Sequence, residues 1–202
     1  MPQTTLPSGV TIEFESMGNP AHPTMLWIMG FTAQMTAWHD DFMKMFVNDG
    51  FHVVRFDNRD CGLSTKFDGV MAETDKVTAA VMLGETPPPV PYTLSDMAAD
   101  AAGVLDALNI ERAHIIGASM GGMIAMKLVA THPDRVKAAV LGGMGMDSCI
   151  SVDPGASAAV KGGQFGLKIV LLLAGVLLQT VRYERGRPLF FPPIFFLAGV
   201  TV

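Results

Sequence analysis

The chain has 202 residues, enough for one domain with a sizeable core, and with 50% hydrophobic and 16% charged residues it is not a disordered sequence. A net charge of −5 argues against a nucleic-acid partner, which needs clustered Lys and Arg to displace counterions. Two cysteines, Cys61 and Cys149, make no disulfide framework, and Met-Pro-Gln-Thr-Thr at the start has no basic stretch leading into an apolar one, so a cytoplasmic, reducing location is expected.

Residues 3–17 read as a hairpin: a short strand, a Pro7-Ser8-Gly9 turn, then Val10 to Glu15 alternating apolar and polar, which predicts one wet face as on an antiparallel edge. Met25 to Met29 is apolar throughout, the pattern of a strand covered on both faces and therefore central in its sheet. Gly30-Phe31-Thr32 leaves that strand. A helix is expected from about Thr36 to Asn48, with Trp38, Phe42, Met45 and Phe46 at helical spacing and Asp49-Gly50 as its stop.

Phe51 to Phe56 is the next buried strand, and a polar turn, Asp57 to Ser64, follows it. Residues 65–92 show no clear period and hold Pro87-Pro88-Pro89 and Pro91, so an irregular surface excursion is expected. Thr93-Leu94-Ser95-Asp96 is a capping box opening a helix to about Leu108, with Leu94, Met97, Ala98, Ala101, Leu105 and Leu108 on one stripe and Asp96, Asp100 and Asp106 on the solvated face. Ala113 to Ile116 and Ala138 to Leu141 read as strands on either side of a helix that runs to Thr131. Strands alternating with helices mean parallel β-α-β units, hence an α/β fold with a mainly parallel sheet and helices on both faces.

Between strand and helix lies Gly117-Ala118-Ser119-Met120-Gly121-Gly122. Its spacing suits a nucleophile elbow: glycines at 117 and 121 permit a tight, strained turn that lifts the Ser119 hydroxyl clear of both elements, while the first helical amides point beside it, where an oxyanion would form. The bland alternative is a small-residue turn where strand and helix pack closely.

Taken together, the Trp27-Ile28-Met29-Gly30-Phe31-Thr32 strand and loop, the Asp57-to-Ser64 turn, the Gly117-to-Gly122 stretch and the His132-Pro133-Asp134-Arg135-Val136 helix end resemble the α/β-hydrolase superfamily over about residues 3–150, in the style of small carboxylesterases and aclacinomycin-type methylesterases. The resemblance implies hydrolysis of small carboxylic esters through Ser119, without metal or cofactor, with the amides of Phe31 and Met120 as oxyanion donors. It also implies that the Asp57 turn chiefly pins its own loop, with a direct catalytic role for Asp57 as the alternative. Read from the residues themselves, Arg59 is expected to pair with a neighbouring carboxylate, Cys61 to be structural because nothing near it supplies a paired His, and Trp38 to be packing or pocket wall.

A serine needs a base, and the superfamily order is Ser, then acid, then His. Asp147 is the acid at the end of the strand after the Ser119 helix, where some members place theirs, but no His follows it. Of the five histidines, His132 lies about 20 Å from Ser119 along a helix rising about 1.5 Å per residue, and His114 about 16 Å back along its strand. His22 and His52 precede their strands, on the wrong edge of a parallel sheet. Only His39, beyond the Phe31 loop, starts on the correct side.

Composition breaks near residue 150: residues 1–150 hold 17 Asp and Glu against 9 Lys and Arg, whereas residues 151–202 hold 2 against 5. This divides the chain into an α/β core, 1–150, and an apolar, basic tail, 151–202. The charge reversal coincides with loss of the final strands, which points to a truncated or frame-shifted segment, with a partial cap as the alternative. Helical apolar segments in residues 167–202 would not complete the sheet, would leave the Ala138-to-Leu141 strand as an exposed or irregularly covered edge, and would favour lipid or membrane association.

Overall fold

A computed structural model describes residues 2–142 and the strand Ser148–Ser151. Seven strands, β1 (Gln3–Thr5), β2 (Thr11–Met17), β3 (Thr24–Ile28), β4 (His52–Phe56), β5 (Ala113–Ala118), β6 (Val136–Gly142) and β7 (Ser148–Ser151), form one sheet in the order β1-β2-β4-β3-β5-β6-β7. The inner four strands are parallel, and β1, β2 and β7 join antiparallel.

The central place of β3 follows from its side chains, every one buried. Leu26 and Ile28 face a core with α3 (Leu94–Ala107) and α4 (Met120–Thr131), through Met97, Leu105, Ile124 and Leu128. Met25 and Trp27 face the opposite layer, where α1 (Asp40–Asn48) contributes Phe42, Met43 and Phe46. Trp38 belongs to that layer, its ring 4.9 Å from Trp27, so it is packing as expected. The Thr93 capping box of α3 is present: Thr93 Oγ1 accepts from the Asp96 amide at 3.3 Å and the Asp96 carboxylate accepts from the Thr93 amide at 2.7 Å.

Several expectations are corrected. The wet face of β2 is not wet at Glu13, which is buried, because the turn after β4 crosses over it: Ser64 Oγ accepts from the Glu13 amide and Asp57 N donates to the Glu13 carbonyl. The first predicted helix starts later, at Asp40, after a single 3-10 turn over Met35–Ala37. The excursion contains a helix, α2 (Thr74–Leu83), closed by Gly84 in the left-handed conformation. Its Val81, Met82 and Leu83 are exposed, so no buried stripe announced it.

Asp100 is not on a solvated face of α3. It is buried, and Arg59 donates to both its oxygens at 2.6 and 2.7 Å. Leu94, placed on the apolar stripe, is exposed at the first turn. The outer edge of β6 is covered by a regular antiparallel strand, with Ala139 opposite Ile150 and Val140 opposite Cys149. The tail beyond residue 151, with its expected helices and lipid-associating segment, lies outside the described residues. Among the described residues no helix is long and apolar enough to cross a membrane.

Candidate active site

The parallel strands bring three loops to one edge. Ile28 of β3 pairs with Gly117 of β5, so the chain after each strand emerges at the same level. Ser119 follows β5 and caps α4 with φ 54° and ψ −125°, a conformation that L side chains rarely adopt. Its amide donates to the Gly142 carbonyl at 2.8 Å and its carbonyl accepts from the Gly122 amide at 2.8 Å, which ties the strained residue to β6 on one side and to the first turn of α4 on the other. Ser119 is exposed.

Glycine is required on both sides of that serine by space rather than by dihedral freedom. A Cβ at Gly117 would sit 2.3 Å from the Gly121 carbonyl oxygen, and one at Gly121 would sit 2.2 Å from the Ile28 carbonyl oxygen. The first turn of α4 therefore lies directly against the end of β3. Met120 opens that helix, so its amide is among those with no partner inside the helix. From the β3 side comes Gly30, where a Cβ would be 2.9 Å from Ser119 Cβ and 3.4 Å from its Oγ. Phe31, the next residue, has its side chain 75% exposed. Phe31, Met120 and Ser119 thus occupy one edge of the sheet.

The loop after β4 supplies the third side. Asp57 is buried, and its carboxylate accepts from the Met35 amide at 2.7 Å and the Leu63 amide at 3.1 Å. Both oxygens are engaged by backbone, which is a structural duty. Asn58 Nδ2 donates to the Met29 carbonyl at 2.9 Å, and Cys61 Sγ to the Ala33 carbonyl at 3.1 Å. Burial, with the Asp57 charge beside it, pushes the Cys61 thiol above its ordinary value, so it is not a poised thiolate.

Arg59, expected to pair with a carboxylate, reaches Asp100, and its guanidinium lies 5.7 Å from the Phe67 ring and 5.4 Å from the Tyr92 ring. Tyr92 is pushed up to about 12 by burial and by Asp60, which accepts its hydrogen bond. Phe67 N donates to the same Asp60 carboxylate. The two ends of the 67–92 excursion are therefore clasped together.

The histidines do not gather at Ser119. His52 begins β4, buried, between Ser16 Oγ at 2.7 Å and Thr24 Oγ1 at 3.0 Å. His114 lies early in β5 with its ring 6.2 Å from Phe51, and His132 ends α4, bonded to Thr131 Oγ1 at 2.8 Å. His22 is in the turn before β3. His39 caps α1 and is exposed. Among the described residues no hydrogen bond joins any of them to Ser119 Oγ. Asp147 lies outside the described residues. Among the described residues no cluster of His, Cys, Asp and Glu could hold a metal ion. Gly30 was legible only as part of the Trp27-to-Thr32 strand and loop, and Asn58, which reaches that loop through the Met29 carbonyl, only as part of the polar turn after β4.

A mainly parallel sheet, wound with helices on both faces and carrying a strained serine between a central strand and its helix, defines a hydrolase-type α/β architecture. The chain belongs to the α/β hydrolase fold family, which matches residues 23–164. It is similar to rhodomycin D methylesterase DnrP of Streptomyces peucetius, 31% identical over 154 residues, 76% of this chain and 45% of that protein. It is also similar to 2-hydroxymuconate semialdehyde hydrolase of Pseudomonas sp. (strain CF600), 43% identical over 77 residues, 36% of this chain and 27% of that one. Among solved structures, a carboxylesterase of Nitrososphaera gargenis superposes with a TM-score of 0.54 at 23% identity, covering 70% of this chain and 46% of its own. The chain spans about half the length of the curated methylesterases that it matches.

Proposed function

We propose that the chain is built for ester hydrolysis at Ser119, on small, largely apolar carboxylic esters. Ser119 Oγ attacks the ester carbonyl carbon, its proton leaves to a base, and the carbonyl oxygen becomes an oxyanion held by the amides of Phe31 and Met120. Collapse expels the alcohol and leaves an acyl-serine; water then attacks the same carbonyl carbon and returns the free serine and the acid. The observation that carries this reading is the left-handed backbone of Ser119 at the end of β5, with Gly30 against its hydroxyl. The similarity to a methylesterase supports the ester class.

Among the described residues no histidine is placed as a base for Ser119. Asp147 is the proposed acid by position, and His39 is the only histidine whose place in the chain starts on the correct side. Losing the base of a serine triad lowers turnover by about 10⁴ to 10⁶, while an oxyanion hole and binding alone retain about 10³ over water. The chain by itself is therefore a weak esterase. Hydrolysis of p-nitrophenyl acetate tests this: slow turnover that Ser119→Ala abolishes is expected, and equal turnover by Ser119→Ala contradicts the reading. Turnover of about 1 s⁻¹ or more, the ordinary enzyme range, would mean that a base is present, and His39→Ala would be the first variant to examine.

The scatter of the five histidines favours one other reading, a non-catalytic hydrolase-like protein that binds a ligand or a lipid surface through residues 167–202. A folded protein whose Ser119 never reacts with a fluorophosphonate would support it.

A further inference from the structure

We infer that Asn58 is a positioning residue for the Phe31 amide, an inference that rests on the Ser119 reading and extends it to the loop after β4. The loop between β3 and the 3-10 turn, residues 29–35, lies against Ser119 at Gly30, and Phe31, whose amide is the proposed oxyanion donor, follows directly. Packing of its own side chains does not hold that amide in place: Phe31 is 75% exposed. The next residue, Thr32, has φ 62°, a left-handed conformation that is strained for a β-branched side chain and persists only where the surroundings over-determine it.

Within the loop Thr32 Oγ1 donates to the Phe31 carbonyl at 2.7 Å, and the turn after β4 supplies three further hydrogen bonds. Met35 N donates to Asp57 Oδ1, Cys61 Sγ donates to the Ala33 carbonyl, and Asn58 Nδ2 donates to the Met29 carbonyl. The first two grip the far end of the loop. Asn58 supplies a hydrogen bond at the near end, on the peptide that leads into Gly30, where the chain also packs against Ala118, Ser119 and Gly121. Gly30 is packed so closely against Ser119 Cβ and the Ala118 carbonyl oxygen that a Cβ would not fit, so with the Met29–Gly30 peptide fixed by Asn58 the Gly30–Phe31 peptide has little room to turn and its N–H is held with it. Asn58 is 4% exposed, so water cannot readily replace its amide as the donor. Oxyanion donors act only when aimed at where the charge develops, which makes Asn58 a determinant of turnover rather than of substrate affinity.

The variant that tests this is Asn58→Asp in the full 202-residue chain, followed with p-nitrophenyl acetate from about pH 4 to about pH 8. The new carboxylate has the shape of the amide but cannot donate to the Met29 carbonyl; once protonated it can. The expected result is a kcat lowered about ten- to a hundredfold near neutral pH with KM within about twofold of the parent, as for a reacting group misplaced by a fraction of an ångström. The deficit should narrow as the pH falls through the carboxyl's titration, while Asn58→Ala should show a deficit that does not narrow. A structural role alone would lower the melting temperature, with recovery at low pH in Asn58→Asp, but would leave kcat per folded molecule unchanged.

An unchanged kcat, a rise in KM alone, or an Asn58→Asp deficit indifferent to pH would overturn the inference. If turnover is too slow to resolve, the same comparison is made on the affinity of phenylboronic acid for Ser119, which needs the same amides and no turnover; equal affinity in parent and variant at every pH overturns it. Should Asn58→Asp not fold, Asn58→Ala carries the kcat against KM comparison. Ser119→Ala keeps the two claims apart. If it retains full activity and boronate affinity, the serine reading and this inference both fall; if it loses them while the Asn58 variants do not, only this inference does.

Discussion

Ser119 adopts a backbone conformation that glycine alone adopts without strain, at a cost of roughly 1–3 kcal/mol for other residues. Ser119→Gly is therefore expected to raise the unfolding free energy by about 1 kcal/mol, after the added freedom of the unfolded chain is subtracted, while removing the hydroxyl on which the proposed chemistry depends. Urea unfolding measures the gain; a stability equal to or below that of the parent would show that the turn is relaxed. The neighbouring glycines behave oppositely. Gly121→Ala places a methyl 2.2 Å from the Ile28 carbonyl oxygen, so α4 must move off β3, with an expected loss of about 3 kcal/mol or more. Equal urea midpoints for parent and Gly121→Ala would contradict that close approach.

The turn after β4 and α3 are joined by the Arg59–Asp100 pair, both side chains almost fully buried. Burial raises the Asp100 carboxyl above its ordinary value against the pull of Arg59, so the pair is held by geometry: two parallel hydrogen bonds and two flanking rings. Asp100→Ala leaves a guanidinium buried without its partner, and a loss of about 3–5 kcal/mol is expected, most of it recovered when Arg59→Met is combined with Asp100→Leu. Denaturant unfolding of the single and double variants checks this; a double variant as unstable as Asp100→Ala would contradict it. Helical spacing could not reveal the pair, because the two residues lie 41 apart in the chain. What was legible is what periodicity and capping encode locally: the fully apolar β3, the capping box of α3, and the passage from β5 into α4 at Ser119. The helix α2 was not, since its apolar residues bury no face, and neither was β7, which falls at the compositional break. The role inferred for Asn58 depends on a contact with a loop 29 residues earlier, for which a polar turn gives no sign.

Protonation couples these elements to the stability of the fold. Burial lowers both His52 and His114 from their ordinary value of 6.5. Over the interval from 6.5 down to the depressed folded value, the unfolded chain binds protons that the folded chain refuses, so stability decreases as the pH falls. Asp40, bonded to Arg55, and Asp96, in the capping box, are lowered too, so their contributions are present above their ordinary value of 3.8 and are lost as the pH falls through the folded values. Thermal unfolding should thus show a midpoint that drops below about pH 6.5 and again below about pH 4, and His52→Gln should flatten the first drop. An unchanged first drop in that variant would leave His52 without a part in it. Membership of the α/β hydrolase fold family explains why these elements converge on one sheet edge, and the proposed chemistry turns on a single atom there, Ser119 Oγ. The most direct measurement is covalent labelling of the folded 202-residue chain with a fluorophosphonate, read by peptide mass spectrometry. Slow addition of one phosphonyl group to the peptide containing Ser119, lost in Ser119→Ala and retained in His39→Ala, is the predicted result. A folded chain that remains unlabelled, or that is labelled only at other residues, would contradict it.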